Sequence, residues 1–310
     1  MAVGAFRHEA FLYTDERELV EGAAGFVEDG LDAGDAVLVV LPAAKIRLLR
    51  ERLGGRAERV AFTDMAVVGR NPGRILHVWH EFAEREVGGG RQGRGIGEPV
   101  SLERSTDELA ECQRYERLLN LAFEGGPPWW LMCAYDIRAL AGTTVREMRR
   151  SHPVLRIDGE SYPNARYEPL DPADPPTREL RPTPATARER PIDLSSLDEV
   201  RAAVDRDARR AGLGHGAAQD LVAAVSELMA NSLRHGGGRA VLRSWDDGDD
   251  LVFEVEDAGV IADPLVGWRL PPADAVAGRG LWLVNQLCDL VELSSGERSG
   301  TTVRIHKHHG

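Results

Sequence analysis

The sequence predicts two folded domains, an α/β domain followed by an α+β domain. Three observations support this. The chain has 310 residues, more than one typical domain needs. Helical and strand patterns alternate in its first half, whereas helices precede a run of strands in its second. Between them, a proline-rich stretch lacks apolar periodicity, which is typical of a linker. We therefore expect domains over residues 1–157 and 193–310, joined by an extended linker over 158–192.

In the first domain, helical segments alternate with buried strands. Asp15 and Glu18 form a capping pair, which predicts a helix that ends near Gly30. The apolar runs at 36–41 and 130–135 predict strands that are covered on both faces. This alternation predicts a largely parallel sheet between two layers of helices, a three-layer α/β domain.

The second domain begins with helices and continues mainly with strands. The predicted helices cover about residues 197–211, 217–234 and 280–288, and the predicted strands 239–245, 251–257, 290–294 and 301–306. Such an order favours helices packed on an antiparallel-rich sheet.

Composition excludes several classes of function. The net charge of −12 argues against direct binding of nucleic acid or of an anionic membrane, and leaves protein partners open. The three cysteines, Cys112, Cys133 and Cys288, are far apart, as expected in a reducing compartment. The N-terminal residues do not resemble a signal peptide, and no apolar run approaches the ~20 residues of a membrane span. We expect a cytoplasmic protein.

One polar pair stands out on the helix SELMANSLRH. Glu227 and Asn231 are four residues apart, so both side chains project from the same helix face. A carboxylate and an amide suit a divalent cation beside phosphates, because hard cations prefer oxygen ligands. Taken alone, the pair is also compatible with an ordinary solvated face.

A second candidate lies where a strand ends, at Asp257 and Gly259. The Asp257 carboxylate could accept a hydrogen bond from an exocyclic amine, and Gly259 would let a flat ring approach the backbone. On its own, this pattern is more often a turn.

Two further segments are candidate phosphate contacts. Gly278, Arg279, Gly280 and Leu281 open a helix, where backbone N–H groups and the positive end of the helix dipole favour anions. The stretch GTTV at 300–303 opens the last strand and offers hydroxyl and backbone contacts.

In this order and spacing, the four segments resemble the N, G1, G2 and G3 boxes of the GHKL (HATPase_c) ATPases over about residues 193–306. The resemblance implies a Bergerat-type α/β sandwich that holds ATP between the helices of the sheet and a mobile lid. The chain departs from the pattern at Val260 and Ile261, where the second G1 glycine is missing, and the stretch at 262–277 is short.

Within this family the chain looks like the anti-sigma-factor serine/threonine kinases. The resemblance implies that Asn231 is a ligand of Mg²⁺, that Glu227 is the general base, and that Gly278, Gly280 and Thr302 hold phosphates. The nucleotide-binding residues carried over are Asn231, Asp257, Gly259, Gly278, Arg279, Gly280, Leu281 and Thr302. The implied cofactors are ATP and Mg²⁺, and the implied partners are a sigma factor and a STAS-type anti-anti-sigma protein.

Two other interpretations stay open. The ATP site could serve a module that only sequesters a partner, without catalysis. Alternatively, the chain could be a sensor histidine kinase whose partner supplies the phosphoacceptor. A phosphoacceptor histidine within this chain is disfavoured, because no two-helix hairpin is predicted upstream and His152 precedes a proline. A homodimer is compatible with each of these.

Residues 6–155 resemble the MEDS sensory domain, through the segments 8–13, 25–35, 111–120 and 131–136. That domain has a RecA-like α/β fold. Here PAAKIRLL follows the strand VLVVL, so a phosphate loop is not predicted. The candidate sensor residues are His8, Tyr13, Trp79, His80, Cys133 and Tyr135.

Histidine spacing does not predict a metal site. His8 and His80 have no neighbour in sequence at metal-ligand spacing, and Trp79 and Cys133 are typical of core positions. We expect His306, His308 and His309 to lie in a frayed C-terminal tail.

Overall fold

The computed structural model describes residues 6–87, 91–101, 103–173, 177–271 and 278–309. The chain divides into two compact units, Met1–Leu170 and Asp171–Gly310. The first unit contains a seven-stranded sheet and the second a five-stranded sheet. Within the described ranges, no helix combines the length and apolar character needed to cross a membrane.

The first unit is an α/β domain built on a mainly parallel sheet, as predicted. Its strands are β1 (Arg7–Tyr13), β2 (Ala36–Leu41), β3 (Ala61–Asp64), β4 (Gly93–Gly97), β5 (Trp129–Asp136), β6 (Val154–Ile157) and β7 (Glu160–Pro163). Its helices are α1 (Glu16–Ala33), α2 (Ala43–Leu53), α3 (Met65–Val68), α4 (Pro72–Glu86), α5 (Thr106–Ala122) and α6 (Gly142–Ser151). The strand order is β3-β2-β4-β5-β1-β6-β7, and only β6 and β7 pair antiparallel.

Helices cover both faces of this sheet. The core under α1 and α2 contains Met132 and Ala134 from β5. On the other face, the ring of Trp79 in α4 packs against Gly95, where an added Cβ would lie 2.9 Å from it. Trp79 is fully buried and donates a hydrogen bond to the hydroxyl of Tyr115 at 2.7 Å. The expected three-layer arrangement is confirmed, and Trp79 is a core residue.

The start of α1 was predicted correctly from the sequence, but its end was not. The Asp15 carboxylate caps the helix and accepts a hydrogen bond from the backbone N–H of Glu18 at 2.8 Å, as predicted. The helix continues past Gly30, its predicted end, to Ala33. Gly34 ends it with φ of 82°, the left-handed conformation in which glycine is favoured.

The second unit is an antiparallel sheet with helices on one face. Its strands are β8 (Arg188–Ile192), β9 (Ala240–Asp247), β10 (Asp250–Asp257), β11 (Leu290–Gly296) and β12 (Gly300–His308), in the order β11-β12-β10-β9-β8. Its helices are α7 (Leu197–Arg210), α8 (His215–His235) and α9 (Arg279–Leu287). Side chains from all three helices share one core with the sheet residues Leu242, Phe253 and Ile305. The predicted α/β sandwich is confirmed.

Two strands form within the stretch predicted to be an extended linker. β7 pairs with β6, and β8 pairs with β9. β8 contains Pro191 and lies at the sheet edge, where a missing N–H costs no ladder bond. β6 and β7 form a hairpin through Asp158 and Gly159, a turn signal that the proline-rich composition obscured. The partner of β8 lies beyond α7 and α8 in the chain, so local sequence did not reveal that pairing.

The face of the second sheet that points away from the helices carries buried charges. Arg304 on β12 pairs with Glu254 at 2.7 Å and lies 3.8 Å from Glu292; all three are nearly inaccessible. Residues 177–183 lie over this face: the Arg181 carbonyl accepts a hydrogen bond from Arg304 at 2.8 Å, and Thr183 donates one to Glu254 at 2.8 Å. This proline-rich segment is therefore part of the second unit.

His306 belongs to the same face and not to a frayed tail. It is 3% exposed, and its Nε2 lies 2.9 Å from the Glu292 carboxylate. Burial opposes its protonation, but hydrogen bonds to Asp250 and Glu292 outweigh burial and raise the pKa of His306 to about 9. The expectation of a frayed tail failed because the last strand extends to His308.

Candidate nucleotide-binding site

The first component of the site is the polar face of α8. Leu221, Val225 and Leu228 bury the opposite stripe in the core, which leaves Glu227 and Asn231 half-buried on the other side. The predicted arrangement of these two side chains on one helix face is therefore present in the structure.

The first turn of α9 lies against this face. A Cβ added at Gly280 would lie 2.7 Å from Oε2 of Glu227 and 3.2 Å from Nδ2 of Asn231. A side chain at position 280 would therefore displace the ends of the Glu227 and Asn231 side chains. Gly278 precedes α9 in the left-handed conformation, with φ of 97°. The N-terminus of a helix, where the helix dipole favours anions, thus lies beside a carboxylate and an amide, a combination suited to a phosphate group and its cation.

The second component is Asp257, at the end of β10. Its Oδ1 accepts a hydrogen bond from the backbone N–H of Gly259 at 2.7 Å, and its Oδ2 accepts one from the hydroxyl of Ser232. Ser232 lies on the buried, mostly apolar side of α8. A buried hydroxyl on an apolar helix face needs a hydrogen-bond partner. This requirement is the feature of the sequence that could have indicated a role for Ser232 at the site.

Hydrogen bonds fix the loop that follows Asp257. Thr301 donates from its hydroxyl to the Gly259 carbonyl at 2.9 Å, and the Ser295 and Thr301 hydroxyls are 2.7 Å apart. The backbone N–H of Ile261 donates to Ser295 at 2.8 Å. Ile261 therefore occupies a fixed position where the family pattern has its second glycine. Sequence reasoning did not identify Ser295 as part of the site.

The structure places Thr301, and not Thr302, beside Asp257. Asp257 pairs with Thr301 in the register of β10 and β12, and directly paired residues project to the same sheet face. Thr302 pairs with Glu256 and projects to the opposite face. The structure therefore does not bring Thr302 to the other candidate residues.

Two other residues predicted to bind nucleotide, Arg279 and Leu281, differ in their exposure. Arg279 is the first residue of α9 and is exposed, whereas Leu281 is buried in the core. The stretch 262–277 corresponds to the lid of the family pattern. Its Gly267 carbonyl accepts a hydrogen bond from Asn285 of α9 at 3.0 Å, and its Trp268 side chain is buried. The rest of that lid, at 272–277, lies outside the described residues.

The first unit has its own cleft at the carboxyl ends of its parallel strands, where α/β sheets commonly bind ligands. The cavity of about 640 Å³ is bordered by Tyr13, Lys45 and Glu98. Lys45 Nζ lies 2.6 Å from both Glu98 oxygens and donates to the Tyr13 hydroxyl at 2.9 Å. Burial raises the pKa of the Glu98 carboxyl, against the opposing effect of Lys45. Of the candidate sensor residues, Tyr13 lines this cleft.

Two family models match the chain. Residues 7–153 match the family described as "MEthanogen/methylotroph, DcmR Sensory domain", or MEDS. Residues 191–307 match the family described as "Histidine kinase-like ATPase domain". No curated protein matches the sequence.

Solved structures with detectable similarity include the RsbU and RsbW domains of Rv1364c from Mycobacterium tuberculosis. They are 22% identical over 41% of this chain and 33% of that chain, with a TM-score of 0.30. The histidine kinase AdeS of Acinetobacter baumannii is 14% identical over 40% of this chain and 68% of that chain, with a TM-score of 0.25. The match spans only a third of the first of these chains.

Both families expected from the sequence motifs are confirmed by these matches. The chain combines a MEDS sensory domain with a histidine kinase-like ATPase domain of the GHKL type.

Proposed function

We propose that the second unit binds ATP with Mg²⁺ and transfers the terminal phosphate to a serine or threonine of a STAS-type anti-anti-sigma protein. The observation that carries the proposal is the contact of Gly280 with Glu227 and Asn231, in a domain of the histidine kinase-like ATPase family. The proposal is supported by this close approach of a helix N-terminus, which favours anions, to a carboxylate and an amide, which suit a metal ion bound to a triphosphate.

Each group has a distinct role in this proposal. Asp257 accepts a hydrogen bond from the adenine amine, since a carboxylate has about four acceptor positions and Ser232 and Gly259 occupy two. Asn231 supplies an oxygen ligand to Mg²⁺. The backbone N–H groups of Gly278 and Gly280 hold phosphate oxygens.

Glu227 is proposed as the general base for the partner's hydroxyl. It lies on the same α8 face as Asn231, one helical turn away, and its carboxylate oxygen points to the start of α9. A base within reach of the transferred phosphate would accept the proton that the hydroxyl loses.

Two features favour a hydroxyl acceptor on a partner over a histidine of this chain. Among the described residues of 158–192, which omit 174–176, the chain forms no helix that would belong to a phosphoacceptor hairpin. His152 is 0% exposed and so is inaccessible to a kinase site.

The biological role that follows is regulation of a sigma factor. The kinase unit would sequester the sigma factor and release it according to the phosphorylation of the anti-anti-sigma protein. The MEDS unit would supply the signal, and its cleft at Tyr13, Lys45 and Glu98 is a suitable place for a small ligand.

The test is phosphate transfer from radiolabelled ATP and Mg²⁺ by the full chain to candidate STAS proteins. We expect acid-stable label on the STAS protein, lost when its acceptor Ser or Thr is replaced by Ala. Acid-labile label would instead indicate a histidine kinase. Binding of ATP without transfer to any STAS protein that the chain binds would indicate a sequestering module.

A further inference from the structure

Four side chains capable of binding a metal meet inside the first unit. They are His8 of β1, Glu116 of α5, Cys133 of β5 and His152, which follows α6. One potential ligand atom from each lies within 4.8 Å of the other three. All four residues are at most 2% exposed.

The spacing of these atoms fits a tetrahedral ion. The His8 Nε2 atom lies 3.0 Å from Glu116 Oε2 and 3.4 Å from Cys133 Sγ, and His152 Nε2 lies 3.3 Å from Glu116 Oε2. Zinc bonds of about 2.0–2.3 Å place tetrahedral ligands roughly 3.3–3.8 Å apart. Small shifts of side chains would therefore bring all four to bonding distance of one central ion.

Hydrogen bonds on the outer side of each ring orient both histidines. The His152 Nδ1 atom lies 2.8 Å from the Met148 carbonyl, which can only accept, so this nitrogen carries the proton. The amide nitrogen of Asn120 donates to the Ser151 carbonyl at 2.8 Å, so the Asn120 oxygen faces His8 Nδ1, 3.3 Å away. Each neutral ring then directs an Nε2 lone pair into the cluster. A protein acceptor on the far nitrogen is the usual outer-shell partner of a metal-bound histidine.

The atoms that face inward need a positive charge between them. His152 Nε2 and Glu116 Oε1 are buried without a hydrogen-bond partner. Two imidazole lone pairs that face one carboxylate repel it unless a cation or protons intervene. Protonation of both rings would place two buried cations side by side, since the ring centroids of His8 and His152 are 4.0 Å apart. One divalent cation satisfies all the inward atoms at once.

We propose that the first unit contains a closed zinc site with His8, Glu116, Cys133 and His152 as ligands. The mixed nitrogen, sulfur and oxygen donor set favours Zn²⁺ over Mg²⁺ or Ca²⁺, which prefer oxygen ligands alone. Four protein ligands leave no position for substrate, so the ion is structural and ties β1, α5, β5 and the α6–β6 turn together.

Sequence spacing did not reveal this site. The ligands are at positions 8, 116, 133 and 152, which match no short metal-binding motif. His8 therefore has metal-ligand neighbours in space, contrary to the expectation from its sequence context. The fold alone brings them together, because β1 lies between β5 and β6 in the sheet.

The test uses the full chain, purified without chelators or metal resins. Elemental analysis should find about one zinc per chain. Protein stripped of metal and titrated with Co²⁺ should develop the visible bands of a tetrahedral ion and a thiolate-to-cobalt charge-transfer band. Cys133→Ala should lose the charge-transfer band and bind Co²⁺ at least ten-fold more weakly.

Cys112→Ala is the matched control, because Cys112 is also buried in this unit but lies outside the cluster. It should keep both the zinc and the cobalt spectrum. Failure of stripped wild-type protein to bind Co²⁺ tetrahedrally, together with no zinc in the purified chain, would overturn the proposal in favour of a buried His–Glu ion pair. That result does not depend on whether any variant folds, and it leaves the proposed kinase activity unaffected.

Discussion

Ser232 of α8 donates a hydrogen bond to the carboxylate of Asp257 at the end of β10. This contact joins the helix that carries Glu227 and Asn231 to the strand end proposed to bind adenine. This hydrogen bond thus connects the residues proposed to contact phosphate with the residue proposed to contact adenine. We therefore expect substitutions in either group to weaken nucleotide binding or phosphate transfer.

Gly280→Ala should weaken binding of ATP with Mg²⁺ by at least ten-fold. The new Cβ would lie 2.7 Å from Glu227 Oε2, so α9 or the Glu227 side chain must shift. The matched control is Gly216→Ala in α8, where an added Cβ meets nothing within 4 Å. Isothermal titration calorimetry of both variants compares them. If ATP binding were weakened equally in both variants, or in neither, Gly280 would not be part of the nucleotide site.

Glu227→Gln and Asn231→Ala should separate chemistry from binding. Glu227→Gln keeps the size and polarity of the side chain, so it should bind ATP normally but transfer phosphate about 10²–10⁴-fold more slowly. Asn231→Ala removes the proposed ligand oxygen, so it should lose the Mg²⁺-dependent part of ATP binding. Transfer at the wild-type rate by Glu227→Gln would show that Glu227 is not the base.

Arg304→Met should destabilise the second unit. It removes the cation between the buried carboxylates of Glu254 and Glu292, which keep Arg243 at 3.1 Å and His306 at 2.9 Å respectively. Because these partners partly compensate the two charges, we expect a cost below about 3–5 kcal/mol, the cost of a fully unpaired buried charge. Arg209→Met, which breaks the ion pair with Asp205 on α7, should cost far less, because solvent screens this pair. Chemical denaturation of the two variants measures the difference. Similar costs would mean that solvent screens the charges around Arg304.

His306 should stabilise the second unit at low pH and lose this effect as the pH rises. The folded-state pKa of His306, about 9, exceeds the ordinary value of 6.5, so the protonated ring stabilises the fold fully below pH 6.5. This contribution, on the order of 3 kcal/mol, should disappear as pH rises through about 9.

The measurement is the free energy of unfolding of wild type and His306→Gln between pH 6 and pH 9.5. The advantage of the wild type should shrink across that range, with His215→Gln, at the exposed first residue of α8, as the control. A constant difference between wild type and His306→Gln would contradict a protonated His306.

Local sequence patterns predicted much of the fold. The Asp15 cap, the six-residue apolar run of β2 and the apolar stripe of α8 each depend on near neighbours, and each has the expected structure. Strand β7 forms a hairpin with the adjacent β6 through Asp158 and Gly159, a local turn signal that the proline-rich composition obscured. Strand β8 pairs with β9, which lies beyond α7 and α8 in the chain, so local sequence did not reveal it. The end of α1 was placed at the wrong glycine because sequence alone does not show which glycine adopts positive φ.

The candidate site, too, was only partly predictable from local sequence patterns. Glu227, Asn231 and Gly280 belong to recognisable segments, and the structure brings them together. The choice between Thr301 and Thr302 required the register of β10 and β12, which the sequence does not contain. The four side chains of the proposed zinc site, His8, Glu116, Cys133 and His152, lie in separate parts of the chain and come together only on folding.

The most direct test of the proposed nucleotide site is calorimetric titration of the full chain with ATP and Mg²⁺, for wild type and Asp257→Asn. The substitution replaces an acceptor oxygen with a donor, and an unpaired buried polar contact costs about 1–3 kcal/mol. We predict that the wild type binds ATP and that Asp257→Asn binds it about 10–100-fold more weakly, with an unchanged circular dichroism spectrum. Asp246→Asn, an exposed position on β9, should bind like the wild type. No binding by the wild type, or equal affinity in Asp257→Asn, would contradict the proposed site.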